Sequence, residues 1–459
     1  MDTIAAMATA GGRAALAIVR LSGPGALPIA AACFRGADLS AAGGHTVHTG
    51  FVVDAAGQPV DQAVATVFRA PRSATGEDVV EFSCHGGELA PRRVLSAVLD
   101  RGARLARPGE FTQRAFLNGK MDLAQAEAVA DLIHASSTLA QRVSVRQLQG
   151  RYSDQLNRLR EELLEMCAFV ELELDFAEED VAFADKQRLQ KLLAGADALL
   201  ERLLGSYRLG ERIRDGVRVA IGGRPNAGKS TLLNALLGRE RAIVSPTPGT
   251  TRDAIEADTE VDGLAVRFVD TAGLRETVDA VEAEGVRRAE HAIEQADALL
   301  YVFDLGVGLH EEEQAWLDAF RERFPRTPLV LVGNKRDLID GPVPDAPMPA
   351  IPLVALSATE AYREPALLRP LVELLLQAVG ADLASAETSE VVTNERHAQH
   401  LRRAREAVLS AREALARDAG GDTLAIDLRA ALRELGCITG EITTEDILDQ
   451  IFSRFCIGK

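Results

Sequence analysis

Apolar and polar positions alternate with different periods along the chain. From residue 1 to about 118, short β-type runs such as Leu16-Ala17-Ile18-Val19, Ala63-Val64-Ala65-Thr66-Val67-Phe68 and Val79-Val80-Glu81-Phe82 are punctuated by Gly23-Pro24-Gly25, Gly43-Gly44 and Pro108-Gly109. Strands bounded by such turn residues predict a small α+β domain. From about 119 to 215 the period becomes helical. Leu123, Ala126, Ala130 and Ile133 recur at three and four residues, as do Leu156, Leu159, Leu163 and Met166, and proline is absent from residues 119–212. Asp122 with Gln125 three residues later predicts a helix start. The acidic stretch 171–180 interrupts the pattern, as a solvated joint between two helices would. Residues 216 to about 380 alternate strand and helix, the sign of a parallel sheet. Beyond them Leu401, Ala404, Val408, Ala411 and Leu415 line one helical face. Gly420-Gly421 breaks that run, and further helices are predicted near Asp422 and Thr443. The expected architecture is an α/β domain (216–380) inserted in an α-helical domain made of 119–215 and 381–459, preceded by the α+β domain 1–118.

Composition narrows the class. Apolar residues make up 47% of the 459, enough for packed cores and too many for a disordered chain. No apolar run approaches the ~18 residues of a membrane span. The start, Met1-Asp2-Thr3-Ile4, lacks the basic opening of a signal peptide. A cytoplasmic protein with no membrane partner is expected. The five cysteines, Cys33, Cys84, Cys167, Cys437 and Cys456, form no C-x-x-C pair, so neither a zinc site nor a disulfide framework is indicated. A net charge of −17 opposes tight non-specific nucleic-acid binding, although arginines cluster at 101–107, 208–218 and 402–405.

The specific chemistry lies in the α/β region. Val217-Arg218-Val219-Ala220-Ile221-Gly222 reads as a buried strand. It leads into Gly223-Arg224-Pro225-Asn226-Ala227-Gly228-Lys229-Ser230 and then a helix from Thr231. Strand, G-x-x-x-x-G-K-S loop and helix together make a P-loop. Its glycines let backbone N–H groups turn inward around phosphate oxygens, and the helix N-terminus adds partial positive charge. Lys229 should reach the β- and γ-phosphates and the Ser230 hydroxyl should bind Mg²⁺. Downstream, Gly249-Thr250-Thr251-Arg252-Asp253 offers a hydroxyl to Mg²⁺. Leu264-Ala265-Val266-Arg267-Phe268-Val269 ends in Asp270-Thr271-Ala272-Gly273, whose aspartate can hold Mg²⁺ through water and whose last N–H can meet the γ-phosphate. Asn334-Lys335-Arg336-Asp337 follows the strand 329–332. A carboxylate at Asp337 accepts from guanine N1 and N2, a pair that adenine lacks, at about 1.5–3 kcal/mol per charged hydrogen bond. Ser357-Ala358 should bring a backbone N–H to the guanine O6. These motifs resemble the translation-factor-related GTPase superfamily.

Hydrolysis needs an oriented water. Many GTPases orient it with a glutamine after D-T-A-G, but here Leu274 stands there. Arg275, Glu276, Glu282 and Glu284 are the nearby polar candidates. A carboxylate beside a triphosphate requires an offsetting cation, either an arginine finger or a metal ion, and spacing does not choose between them.

The flanks carry a second resemblance. Asp2-Thr3-Ile4-Ala5-Ala6, Ile18-Val19-Arg20-Leu21-Ser22-Gly23, Thr75-Gly76-Glu77-Asp78 and Cys84-His85-Gly86-Gly87 belong to it, as do Arg107-Pro108-Gly109-Glu110-Phe111-Thr112, Arg114-Ala115-Phe116-Leu117-Asn118-Gly119-Lys120 and Phe452-Ser453-Arg454-Phe455-Cys456-Ile457-Gly458-Lys459. With the P-loop, Thr250-Thr251-Arg252-Asp253, Asp270-Thr271-Ala272-Gly273-Leu274-Arg275 and Val281-Glu282, they resemble the tRNA modification GTPase family MnmE/TrmE over essentially the full length. The resemblance implies a GTPase that works with an FAD-dependent partner of the MnmG/GidA family, in a heterotetramer or larger complex. The pair adds a carboxymethylaminomethyl-type group to carbon 5 of the wobble uridine of certain tRNAs. It also implies an N-terminal domain that dimerises and binds a 5-formyltetrahydrofolate-type one-carbon folate, and G domains that pair across a K⁺ ion replacing an arginine finger. By motif, Asn226, Ser245, Thr247 and Thr250 would hold K⁺, within the loop Ser245-Pro246-Thr247-Pro248. Ser230 and Thr251 would bind Mg²⁺, and Glu282 would orient the attacking water. Arg20, Glu81, Lys120 and Lys459 would contact folate, and Cys456 is a candidate catalytic thiol.

Two departures stand out. Pro246 and Pro248 fix φ and remove N–H donors from the K⁺ loop, and Thr9-Ala10-Gly11-Gly12-Arg13 lacks the family's usual proline. The competing expectation is a GTP-dependent RNA or ribosome-assembly switch. That reading asks for an appended basic RNA-binding domain, and none is evident after residue 380.

Overall fold

The computed structural model describes residues 2–175, 186–238, 256–270, 293–344, 346–380, 383–417 and 419–459. They fall into two compact units. One comprises Met1–Ala130, Gln147–Leu193 and Glu406–Lys459, and the other Asp131–Arg146 and Ala194–Arg405.

The first unit opens with β1 (Ile4–Met7), β2 (Leu16–Ser22), α1 (Ala26–Cys33), β3 (Phe34–Arg35), β4 (Thr46–Val53), β5 (Pro59–Phe68), β6 (Val79–His85), α2 (Ala90–Leu99), β7 (Arg104–Leu105) and α3 (Glu110–Leu117). The strands form one sheet in the order β3-β4-β5-β6-β2-β1-β7. It is antiparallel apart from the β1–β7 pair. Period-2 alternation makes it two-faced. Ala5, Val19, Leu21 and Phe82 pack with Leu27 of α1 and Val94 and Val98 of α2, while Ile4 and Ala6 point to the other face and meet Phe111 of α3.

Helices follow: α4 (Leu123–His134), α5 (Thr138–Leu148), α6 (Arg151–Asp175) and α7 (Lys186–Asp215). The predicted start of α4 is a reciprocal cap, with Asp122 N–H donating to Gln125 Oε1 at 2.9 Å and Gln125 N–H to Asp122 Oδ1 at 2.8 Å. Ile133, expected on the apolar stripe, is 41% exposed. The acidic stretch is helical as far as Asp175, and Arg429 is bonded to its Glu171 at 2.7 Å.

The second unit holds β8 (Val217–Gly222), α8 (Lys229–Leu237), β9 (Glu256–Val261), β10 (Leu264–Asp270), β11 (Ala298–Asp304), α9 (Glu311–Arg323), β12 (Leu329–Asn334), β13 (Leu353–Ala355), α10 (Ala358–Arg363), α11 (Arg369–Ala378) and α12 (Leu383–Thr388). The sheet order is β13-β12-β11-β8-β10-β9, parallel except for β9. β11 and β12 are buried on both faces, which is why they read as unbroken apolar runs. Val219, Ile221, Phe268, Leu300 and Val332 face Leu232 and Leu236 of α8 and Leu371 and Leu375 of α11. Leu299, Tyr301, Phe303 and Leu331 face Leu317 and Phe320 of α9. Leu139, Ala140 and Val143 of α5 join the first of these cores.

The chain closes with α13 (Glu395–Ala416), α14 (Gly421–Thr439) and α15 (Glu445–Phe452), the last capped by Thr444. Gly420 caps α14 where the glycine pair predicted a break. No disulfide joins the five cysteines, and Cys456 is exposed. Among the described residues no helix is long and apolar enough to cross a membrane.

Candidate functional site

Parallel strands end together on one edge, which gathers residues far apart in sequence. Register aligns Asp270 with Ile221, Tyr301 with Gly222, Asp304 with Asn334 and Gly333 with Ala355. The chain leaves β8 toward β10 on one side and β11 on the other, so the loop after β8 lies where the strand order reverses.

That loop is shaped by residues with unusual backbone freedom. Gly223 has φ +135° and a Cβ there would strike the Val302 carbonyl. Gly228 has φ +96° and its Cβ would collide with the Asn334 side chain. Asn226 takes φ +63°, a conformation asparagine tolerates better than most residues. The helix starts at Lys229, two residues before the predicted Thr231. Lys229 is 6% exposed, and its Nζ donates to the Gly223 carbonyl at 2.8 Å and the Arg224 carbonyl at 2.7 Å. Its charge therefore lies inside the turn. Ser230 and Thr231 are exposed at the same helix start, and Asp270 is buried at the end of the neighbouring strand.

Asn334 joins the motifs. Its Nδ2 donates to the Ala227 carbonyl at 2.8 Å, and its Oδ1 accepts from the Ala358 N–H at 2.9 Å. One buried amide thus fixes the phosphate-type loop and the Ser357-Ala358 turn to the end of β12. Ser357 caps α10 by accepting from the Glu360 N–H at 3.2 Å. Lys335 has φ +63° and leads into the one-turn helix Arg336–Leu338, whose Asp337 is exposed. The outer side of the loop is held by Arg224, 3.4 Å from the buried Glu313, whose other oxygen accepts from Tyr301 Oη at 2.9 Å. Sequence reading passed over Glu313 because it has the look of one of three acidic residues in a solvated first turn. Ser245, Pro246, Thr247, Pro248, Gly249, Thr250, Thr251, Thr271, Ala272, Gly273 and Glu282 lie outside the described residues. A cavity of about 150 Å³ lined by Asp131, His134, Ser144, Arg214, Asp215 and Thr393, among others, includes none of these motif residues.

The first unit assembles a second cluster. Arg20 and Glu81 are directly opposite on β2 and β6, with Nε–Oε1 at 2.7 Å. The Arg20 guanidinium lies 5.7 Å from the centroid of Phe111. Phe111 N–H donates to the Lys459 carbonyl at 3.2 Å, so the tail reaches the same face. Gly458, at φ +99°, passes so close to the Met7 carbonyl that a side chain would not fit. Lys120 instead donates to the Pro71 carbonyl at 3.0 Å.

Beside this face lies a charge network that sequence reading did not assemble. Buried Arg114 donates to Glu77 at 3.1 Å, to Asp2 at 2.7 Å and to Glu110 at 3.2 Å, and Arg104 bonds Glu110 at 2.6 Å. Burial pushes the Glu110 carboxyl up, but the Arg104 guanidinium, the Arg107 N–H and Arg114 outweigh it and hold the group down at about 2. The Arg104 guanidinium likewise pulls Asp2 well below the usual carboxylate range.

Comparison with known proteins identifies the family. A family profile described as the GTP-binding protein TrmE N-terminus matches residues 3–120, and one described as the MnmE helical domain matches 123–456. The tRNA modification GTPase MnmE of Salinibacter ruber is 60% identical over 458 residues, covering 100% of this chain and 99% of the relative. That of Cytophaga hutchinsonii is 44% identical, covering 100% and 98%. A structure of Aquifex aeolicus Era bound to GDP and AlF4⁻ is 30% identical over 34% of this chain and 56% of its own, with a TM-score of 0.28. With a parallel sheet that presents a glycine-turned lysine loop, and with full-length identity of this order, the chain belongs to the tRNA modification GTPase MnmE family.

Proposed function

We propose that this chain uses GTP hydrolysis at the edge of its parallel sheet to drive modification of the wobble uridine of certain tRNAs. With an FAD-dependent MnmG/GidA-type partner it adds a carboxymethylaminomethyl-type group to carbon 5. Family membership makes the chain a GTP-binding hydrolase of tRNA modification. The observation that carries the site assignment is Asn334, whose two hydrogen bonds hold the phosphate-type loop and the Ser357-Ala358 turn in one frame.

In this reading, domain 216–380 binds GTP. Loop N–H groups from Asn226 to Thr231 surround the phosphates, and the Lys229 ammonium exchanges loop carbonyls for β- and γ-phosphate oxygens. Asp337 accepts from the guanine edge while Ala358 N–H meets O6. Ser230, exposed at the helix start, and Asp270, buried at the adjacent strand end, are hard oxygen donors of the kind Mg²⁺ takes. With Thr251 they would hold that ion, which supplies neutralisation of charge developing on the phosphates. Asn226, with Ser245, Thr247 and Thr250, would hold K⁺. Glu282 positions the attacking water in place of the side chain that Leu274 cannot supply.

Domain 1–118 takes the one-carbon folate and dimerises, and 119–215 with 381–459 forms the helical domain. The paired Arg20 and Glu81 beside the Phe111 ring offer a donor, an acceptor and an aromatic surface, which suit a pterin. Lys459 and Lys120 supply positive charge for its glutamate, and Cys456 stands exposed near the same tail.

Bulk tRNA from a strain lacking the protein should lose the modified nucleoside by mass spectrometry; an unchanged profile overturns the reading. Hydrolysis should be faster in K⁺ than in Na⁺, and Glu282→Ala should slow it with nucleotide affinity near normal. Equal rates in both salts count against the K⁺ assignment.

A further inference from the structure

Asp304 belongs to none of the motifs. It ends the apolar strand β11, in register with Asn334 on β12. Its Oδ2 lies 2.8 Å from Lys335 Nζ, and its Oδ1 accepts from the Gly306 N–H at 2.9 Å. The next residue, Leu305, donates its N–H to the Asn334 carbonyl at 3.0 Å. The segment leaving β11 therefore grips both Asn334 and Lys335, one through the backbone and one through a charge pair. The pair is about one-third exposed on each side. The Lys335 ammonium holds the Asp304 carboxyl below its ordinary value.

Lys335 occupies the position before the helical turn Arg336–Leu338, at φ +63°. A non-glycine residue seldom takes that conformation and keeps it only when its surroundings over-determine it. The turn is held by the Arg336 N–H on the Leu356 carbonyl at 3.2 Å and, through Lys335, by Asp304, so the place of Asp337 depends in part on how firmly Lys335 is held. Asn334 is anchored by its amide, but among the hydrogen bonds described for the Lys335 side chain the partner is Asp304.

We infer that Asp304 is a positioning residue for guanine-nucleotide binding, acting through Lys335 to pre-set the loop that carries Asp337. This rests on the assignment of Asp337 to the base. Without Asp304 the lysine stem and the turn would have to be ordered when the nucleotide binds, and affinity falls by that ordering cost. A partly exposed ion pair contributes modestly, so the expected loss is about two- to fivefold.

The test measures release of a fluorescent GDP from the full-length protein by stopped flow, together with KM and kcat for GTP. Asp304→Asn should release GDP about two- to fivefold faster and raise KM by a similar factor, with kcat unchanged. Asp304→Glu should recover most of the loss. In a Lys335→Met background, Asp304→Asn should add nothing. Wild-type release from Asp304→Asn, or a full further loss in the Lys335→Met background, overturns the inference. Failure of the wild-type protein to bind the probe would instead sink the assignment of the guanine site. Unchanged thermal midpoints confirm that the variants are folded.

Discussion

The sites proposed on the parallel sheet and on the N-terminal antiparallel sheet are built in opposite ways. At the edge of the parallel sheet the working groups are loop N–H atoms and short side chains that follow directly on strand ends. Each motif is contiguous in sequence, and the sheet only has to bring the ends of β13, β12, β8 and β10 to one edge, with β11 between β12 and β8. On the N-terminal sheet the groups proposed for folate stand on a face. Arg20 comes from β2, Glu81 from β6, Phe111 from α3 and Lys459 from the tail, so single residues are gathered from four places. The first kind of site depends on backbone conformation and the second on packing. Substitutions in the loop motifs should therefore change binding and leave stability alone, and substitutions in the buried charge network beside the N-terminal face should change stability.

The largest separation is expected at Asp337. It is exposed, so Asp337→Ala should leave the thermal midpoint unchanged. Loss of two charge-assisted hydrogen bonds to guanine should weaken GDP binding on the order of 10²-fold or more, measured by titration calorimetry. A variant that binds GDP normally would break the comparison at its strongest point.

Glu110 is the reverse case. Glu110→Ala leaves buried Arg114 with Glu77 and Asp2 and leaves Arg104 with Asp2, and the donors that lose their acceptor cost about 1–3 kcal/mol of stability. Denaturant unfolding of the variant should show that loss. The network also sets a pH dependence. Glu110 is held near 2 against an ordinary 4.5, so its stabilisation is fully present above about 4.5 and is lost as pH falls toward 2. Asp2 shifts in the same direction. The thermal midpoint of the wild-type protein should drop across that window, and the drop should be shallower in Glu110→Gln. Parallel pH curves for the two proteins would remove the network from the account.

The smallest expected effect belongs to Arg20. Its pair with Glu81 is partly solvated, so Arg20→Ala should cost less than about 1 kcal/mol while folate binding weakens on the order of tenfold. A large stability loss with intact folate binding would make Arg20 a packing residue and sharpen the contrast differently.

Much of the parallel sheet could be read before the fold was known. The strand 217–222, the turn around Gly223 and Gly228 and the order of the later motifs are local signals. They depend on a short apolar run buried on both faces, on φ values only glycine takes easily, and on a helix start that follows immediately. The Asp122–Gln125 cap was legible for the same reason, since both partners lie within one turn. Harder to read were β1, β3, β4 and β7, which are short or half-exposed and carry no strong alternation.

Residues whose meaning comes from distant partners left no local mark. Glu313 has the sequence context of a solvated helix start and is buried against Tyr301 and Arg224. Asp304 reads as the end of a strand until β11 and β12 are placed in register. Leu139, Ala140 and Val143 show only that α5 has an apolar side, not that this side joins the core under the parallel sheet. The sequence by itself determined the glycine-turned lysine loop and the change from short strands to helices to alternating strand and helix, because backbone geometry and periodicity act over a few residues. Only the tertiary structure decided which charges are buried together, which strand ends meet and where the tail docks, because burial and pairing are properties of neighbours in space.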